Sequence, residues 1–335
     1  MILLDSLYIN IGGGKILLDY LVEELESRNL NVFYLFDKRC EGEYLNIPST
    51  RKKFLKANII NRYSFYKKNR FKFKSVLCFG NVPPPIKIGH TSKIFTYFHQ
   101  PLFIGDGDMN NLLSRIFIYA KTSYINIVKN NTDYWLIQNS RIKSGLVRKY
   151  KIPQSSIKIV PFFQPLPLST KSKIEKSFSY ISMAPPHKNH IRLIKAWEFL
   201  NEKGIRPTLH LTVPEDCVQI IDLINQAKLK GVRIINHGYI NRKEVSDILN
   251  STQYLVFPSL AESFGLPLVE AIEAGCNVIA ADLDYTFQVI EPSYTFDPNS
   301  SKSIADAVIY SLNNELKPSK AKVKNEINEL INLLK

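Results

Sequence analysis

Apolar residues recur along the chain in two alternating rhythms. Short continuous apolar runs are followed by stretches with helical spacing, and this happens in both halves of the sequence. In the first half the runs Ile2–Tyr8, Val32–Phe36, Val76–Phe79, Ile94–Phe98 and Trp135–Ile137 predict strands buried on both faces. Helical spacing runs through Ile16–Leu25, Leu112–Val128 and Arg141–Tyr150. Periodicity is then lost over Phe162–Ser177, where prolines, serines and lysines predict a linker. The second half restarts with strands near Tyr180–Met183, Thr208–Val213, Val232–Asn236, Tyr254–Phe257 and Val278–Ala281. Helices are expected between them at Ile191–Asn201, Cys217–Lys230, Lys243–Asn250 and Leu268–Ala274. Strands alternating with helices predict an α/β protein with two doubly wound parallel sheets and a ligand cleft at the carboxyl ends of the strands. The expected division is residues 1–165, 166–318 and a C-terminal helix over 319–335, patterned by Val323, Ile327, Leu330 and Leu334.

Composition supports a folded globular chain without adding much to that picture. With 335 residues there is length for two domains, and 45% hydrophobic with 22% charged residues is ordinary for a water-soluble protein. No basic leader precedes the first apolar run, and no stretch approaches the ~20 apolar residues that span a bilayer. Cys40, Cys78, Cys217 and Cys276 are scattered, with no metal-binding spacing, which predicts buried thiols in a reducing cytosol.

Charge changes the picture. Residues 1–165 hold 25 Lys and Arg against 11 Asp and Glu, so the net charge of +14 lies wholly in the first half. Arg51–Lys74 alone holds ten basic residues, no acid, and the aromatics Phe54, Tyr63, Phe65, Tyr66, Phe71 and Phe73. Basic side chains with interfacial aromatics suit an anionic membrane surface. The competing expectation is a solvated basic face with its aromatics packed inward. Nucleic acid would use the same charge, but no nucleic-acid motif accompanies it.

The chemistry concentrates after the strand Tyr254–Phe257. Glu262 lies on the strand-to-helix loop, and Glu270 falls in the first turn of the helix predicted from Leu268, with Pro267 suited to its start. Gly265 lets backbone approach a ligand, and the free N–H groups after it favour an anion. The string Pro258, Ser259, Glu262, Phe264, Gly265, Leu266, Pro267, Glu270, Ala271 and Gly275 resembles the paired-glutamate motif of retaining GT-B glycosyltransferases of family 4, as found in bacterial O-antigen and polysaccharide assembly. That resemblance implies a GT-B fold, two Rossmann-like domains facing each other across a cleft, and a nucleotide-diphosphate sugar as donor. It implies Glu270 on the ribose, Glu262 on the donor sugar, and backbone of Ser263, Phe264, Gly265 and Leu266 on the diphosphate.

Three further segments take meaning from the same resemblance. Gly12-Gly13-Gly14-Lys15 follows the first strand and lacks the Walker A spacing; by resemblance Gly13 and Gly14 belong to a glycine loop on the donor side. Lys188 precedes a helix for which Asn189 is a suitable N-cap, and it resembles the family's donor-phosphate lysine. The Gly-Arg pair that commonly precedes that lysine is replaced by Ser182 and Met183. His99, in Tyr97-Phe98-His99-Gln100-Pro101 at a strand end, resembles a histidine near the reacting sugar, able to orient a hydroxyl and expected to be pH-sensitive. Asp106-Gly-Asp108 and Asp282-Leu-Asp284 fit a short metal-binding pattern, but it is common by chance, and neither metal nor cofactor is expected.

The sequence reading is therefore a metal-independent retaining glycosyltransferase. It would carry Glu262, His99 and Lys188 at the reaction, and a glycan or polyprenyl-diphosphate-linked acceptor. The expected location is the inner face of the plasma membrane, with contact through residues 51–74. The alternatives are a GT-B nucleotide-sugar epimerase and a non-catalytic nucleotide-sugar-binding protein.

Overall fold

The computed structural model describes residues 1–89, 91–105 and 112–335, the side chains of 112–114 excepted. The chain divides into two compact units, Met1–Gln164 with Lys324–Lys335, and Pro165–Val323.

The first unit is built on seven strands: β1 (Ile2–Asp5), β2 (Val32–Asp37), β3 (Lys52–Leu55), β4 (Ser75–Cys78), β5 (Lys93–Phe98), β6 (Tyr134–Ile137) and β7 (Ile157–Ile159). All pair in parallel, in the order β3-β2-β1-β4-β5-β6-β7. β1 and β4 are buried at every position, because helices cover both faces of such a sheet. Strand order reverses between β1 and β4, and Asp5 ends β1 at that point. Asp5 and Arg62 form an ion pair in which both side chains are at most 2% exposed. Arg62 Nε donates to Asp5 Oδ2 at 2.8 Å, and its other nitrogens donate to the carbonyls of Val82 and Pro83. Tyr66 Oη donates to the same carboxylate at 2.7 Å.

The second unit repeats the plan with β8 (Ile174–Tyr180), β9 (Thr208–Leu211), β10 (Ile234–Asn236), β11 (Thr252–Phe257) and β12 (Asn277–Ala281), then β13 (Ile290–Glu291), β14 (Tyr294–Phe296) and β15 (Lys320–Ala321). Six of these form a parallel sheet in the order β10-β9-β8-β11-β12-β14, and β13 pairs antiparallel with β15. Here the order reverses between β8 and β11. Reversal sends the connecting helices to opposite faces and leaves a crevice at the strand ends, where ligands of open α/β sheets bind.

Several elements depart from the sequence reading. The first helix starts at Gly12 rather than Ile16, so the glycines form its first turn instead of a preceding loop. Within Arg51–Lys74 the chain forms β3 and a helix Ile59–Lys68, capped by Asn58, whose side chain accepts from Asn61 N–H. Phe65, Tyr66 and Phe73 enter the core, while Ile60 and Phe71 stay about four-fifths exposed. The expected linker has no regular structure from Phe162 to Lys173, as its composition suggests, but Phe162 and Phe163 are buried in the first unit and β8 begins at Ile174. The tail is not one helix. Lys320–Ala321 pairs with β13, and only Ile327–Leu334 is helical, burying Ile327, Leu330, Ile331 and Leu334 in the first unit. Cys40, Cys78 and Cys276 are buried and Cys217 half-buried, all as free thiols. Among the described residues no helix is long and apolar enough to cross a membrane.

The buried pair at the end of β1 yields the first prediction. Asp5→Asn should cost about 3 kcal/mol in urea unfolding, since it strands a buried guanidinium. Adding Arg62→Met should not restore the wild-type value, because the Val82 and Pro83 carbonyls then lose their donor. A single-variant cost below about 1 kcal/mol would contradict this role.

Candidate functional site

In the second unit the ends of the two reversal strands, β8 and β11, carry most of the predicted site. After β8 the chain makes a short turn, Pro186–Lys188, and then starts helix His190–Glu202. After β11 it runs through Pro258–Phe264 to Gly265 and helix Leu266–Glu273. The two loops are tied together. Asn189 Nδ2 donates to the Pro258 carbonyl at 3.0 Å and to the Pro298 carbonyl at 2.7 Å, and Leu260 N–H donates to the His187 carbonyl at 2.8 Å. Tyr180 Oη holds the Lys188 carbonyl at 2.8 Å, and Tyr285 Oη holds that of Ser259 at 2.7 Å.

This clamp brings Lys188 Nζ to 2.5 Å from Glu262 Oε1, with the two side chains 17% and 10% exposed. The lysine also lies 5.8 Å from the Phe257 ring centroid. Sheltered from water, the pair attracts more strongly than a surface pair would. Asn189 does not serve as the expected side-chain cap. It sits at the N-cap position with φ +63°, and its side chain is spent on the loop carbonyls and on Arg192 Nη1, which donates to Asn189 Oδ1.

Gly265 has φ +76° and starts its helix from the left-handed region, which a Cβ would strain. The helix begins at Leu266, two residues earlier than expected, so Glu270 lies in the second turn and not the first. Glu270 is buried, and burial pushes its carboxyl above the usual range while Arg242 opposes that shift. Arg242 Nη1 donates to Glu270 Oε1 and is ion-paired with it. The sequence reading missed Arg242. It is the first residue of helix Arg242–Ser251, which begins with a capping box between Asn241 and Glu244. That box was legible in Asn241-Arg-Lys-Glu244, but the partner of Arg242 lies 28 residues away. Phe264 is buried and Ser263 half-buried on the connecting loop.

His99, Gly13 and Gly14 belong to the first unit. His99 follows β5; its backbone N–H donates to Asn81 Oδ1 at 2.7 Å, and its Nε2 lies 3.4 Å from Asn81 Nδ2. A Cβ on Gly14 would stand 3.2 Å from His99 Nε2, so the start of helix Gly12–Ser27 packs directly on this ring. The residue is half-buried, but Nδ1 is sealed and lacks a hydrogen-bond partner. Burial pushes the ring down to about 4, so it is neutral near pH 7 and not the pH-sensitive group expected from sequence. Asp106 and Asp108 lie outside the described residues. Asp282 and Asp284 follow β12, and among the described residues no group of three or more metal-ligating side chains forms. Met183, where the family pattern has an arginine, is exposed.

Comparison with known proteins bears on the fold and on the segment that carries these loops. Residues 169–329 match the model of the group 1 glycosyl transferases. O-antigen chain mannosyltransferase B of Escherichia coli is 26% identical over 170 residues, 49% of this chain but only 43% of that protein, so the match spans less than half of the relative's length. Among solved structures, the lipopolysaccharide outer core galactosyltransferase WaaB superposes with a TM-score of 0.67 at 16% identity, covering 94% of this chain and 91% of its own. HepE of Anabaena, solved with UDP and glucose, gives 0.62 at 12% identity over 93% and 90%. The sequence thus resembles the group 1 glycosyltransferases over residues 169–329, and the two doubly wound parallel sheets are those of the GT-B fold.

Proposed function

We propose that the chain is a retaining glycosyltransferase that moves a sugar from a nucleotide diphosphate to a glycan acceptor in cell-surface polysaccharide assembly. The observation that carries this reading is the meeting of Lys188 with Glu262 at the strand reversal, next to the glycine start of the helix that holds Glu270. The group 1 match over the same segment supports it, as do the transferase activities of the relatives named above. Those activities are transfers and not epimerisations, so the epimerase alternative is not favoured.

In this mechanism the donor diphosphate takes Lys188 and the backbone N–H groups around Ser263–Leu266, and Glu262 turns from the lysine to the sugar hydroxyls. Arg242 opposes the upward push of burial on the Glu270 carboxyl and fixes one of its oxygens, leaving the other to accept from the ribose hydroxyls. The C1–O bond to the diphosphate breaks and the acceptor oxygen bonds C1 on the same face. The acceptor proton passes to the departing phosphate oxygen. Lys188 and the helix start stabilise the leaving charge, so no metal is required. On the first unit, neutral His99 would hydrogen-bond a sugar hydroxyl, and Gly13 and Gly14 would offer backbone N–H groups to an anion.

The acceptor reading is a polyprenyl-diphosphate-linked glycan at the cytoplasmic face of an anionic membrane. Its support is the surface left by helix Ile59–Lys68 and the turn after it. Exposed Ile60 and Phe71 stand among exposed Lys67, Lys68, Arg70 and Lys72, whereas Arg62 is consumed by Asp5.

Three measurements check this account. Glu270→Gln should weaken binding of the preferred nucleotide sugar by about 10- to 100-fold, as expected for a charged hydrogen bond of ~1.5–3 kcal/mol. Wild-type turnover should persist in excess EDTA. Unchanged affinity in the variant, or metal-restorable loss in EDTA, would overturn the donor site or the metal-free mechanism. Replacing Lys67, Lys68, Arg70 and Lys72 by Gln should release the protein from anionic vesicles at physiological salt, where charges act over ~8 Å. Undiminished vesicle binding would make this an ordinary solvated face.

A further inference from the structure

Lys121, in the first unit, is a cation that neither the donor site nor the fold uses. It stands half-buried on helix Leu112–Val128, which follows β5. Its Nζ lies 5.0 Å from the ring centroid of Tyr8, 5.3 Å from that of Phe103 and 4.9 Å from that of Phe117. Among the described residues it has no hydrogen-bond or ion-pair partner, and Nζ is not sealed from water. The half-buried Lys15 and Lys188 both meet carboxylates. Aromatic faces replace only part of the hydration an ammonium gives up, so a sheltered lysine held by rings alone calls for an anion.

Two tyrosines extend this face. Tyr124 lies one turn after Lys121 on the same side of the helix, and Tyr8 follows β1; both are half-buried and pack against one core cluster. Among the described residues neither hydroxyl has a hydrogen-bond partner, and neither is sealed from water. The nearby acids are already engaged. Asp37 accepts from Arg39 and from Tyr8 N–H, and Asp5 accepts from Arg62 and Tyr66. Three open donors therefore meet without an acceptor, beside the reversal between β1 and β4 where sheets of this type bind ligands. Burial, and after it the charge of Arg39, push the Lys121 ammonium down, and a bound anion would oppose that shift. Ile116 and Phe117, on the same helix, are 57% and 58% exposed and offer apolar surface beside the lysine.

We propose that Lys121, Tyr8 and Tyr124 bind the diphosphate of the lipid-linked acceptor, with the adjoining isoprene units against Phe117 and Ile116. This rests on the acceptor reading above and names the groups that hold the acceptor's anionic end.

The test is calorimetric titration of the whole protein with farnesyl diphosphate, with farnesol, and with the tightest binder among UDP, GDP, dTDP and ADP. Farnesyl diphosphate should bind more tightly than farnesol by about tenfold or more, and should still bind when the nucleotide is saturating. Lys121→Met should weaken farnesyl diphosphate by about tenfold or more and leave nucleotide affinity unchanged, while Lys121→Arg should keep both. Unchanged farnesyl diphosphate affinity in Lys121→Met, or equal affinity for farnesol, would overturn the proposal. So would displacement of farnesyl diphosphate by the nucleotide, which would place it in the donor site. If Lys121→Met loses both ligands, Lys121→Arg decides: loss of farnesyl diphosphate binding there also overturns the proposal. A wild-type protein that binds none of the four nucleotides defeats the donor reading instead, whatever farnesyl diphosphate does.

Discussion

The Asn189 side chain is the small part on which the candidate site depends. Its one amide nitrogen reaches the carbonyls of both Pro258 and Pro298, so the loop after β8 cannot move without the loop after β11. Strand reversal alone would only place the two loops near each other. The buried amide fixes them, because releasing it would strand two carbonyls as well as the donor, and unmade buried hydrogen bonds are costly. Lys188 therefore meets Glu262 across a separation of 74 residues in sequence. The left-handed φ of Asn189 is a local strain held by those same bonds.

Two cation–carboxylate pairs of different character result. Lys188 and Glu262 form a sheltered pair of partly accessible groups, which a diphosphate can rearrange. Glu270 is buried much more deeply; burial disfavours its ionised form, and Arg242 opposes that push. The first pair suits an exchange of partners on binding. The second suits a fixed acceptor whose geometry is set before a ligand arrives. In the first unit the Asp5–Arg62 pair does neither; it anchors the Val82–Pro83 carbonyls to the end of β1.

Much of this was legible in the sequence because it is local. The apolar runs of the central strands, the glycine at 265 and the two glutamates all lie within short segments whose pattern states their environment. What was illegible is non-local or unevenly buried. β3 is a half-exposed edge strand made of Lys52, Lys53, Phe54 and Leu55, and no apolar run marks it. Helix Ile59–Lys68 buries an arginine on its inner face, so its polarity misleads a hydrophobic period. Phe162 and Phe163 pack into the core from irregular chain, where prolines argued for a linker. Neither the partner of Glu270 nor the burial that neutralises His99 can be derived from spacing.

The central claim is that the nucleotide diphosphate sits at the β8–β11 reversal. Hydrogen–deuterium exchange tests it most directly, with the tightest binder among UDP, GDP, dTDP and ADP. The account predicts slowed exchange in the loop and helix start over residues 259–270, and in the turn around Lys188. It predicts no change over residues 216–220, at the start of the helix Val218–Leu229 that follows β9. Protection confined to residues 216–220, or absent from residues 259–270, would contradict it.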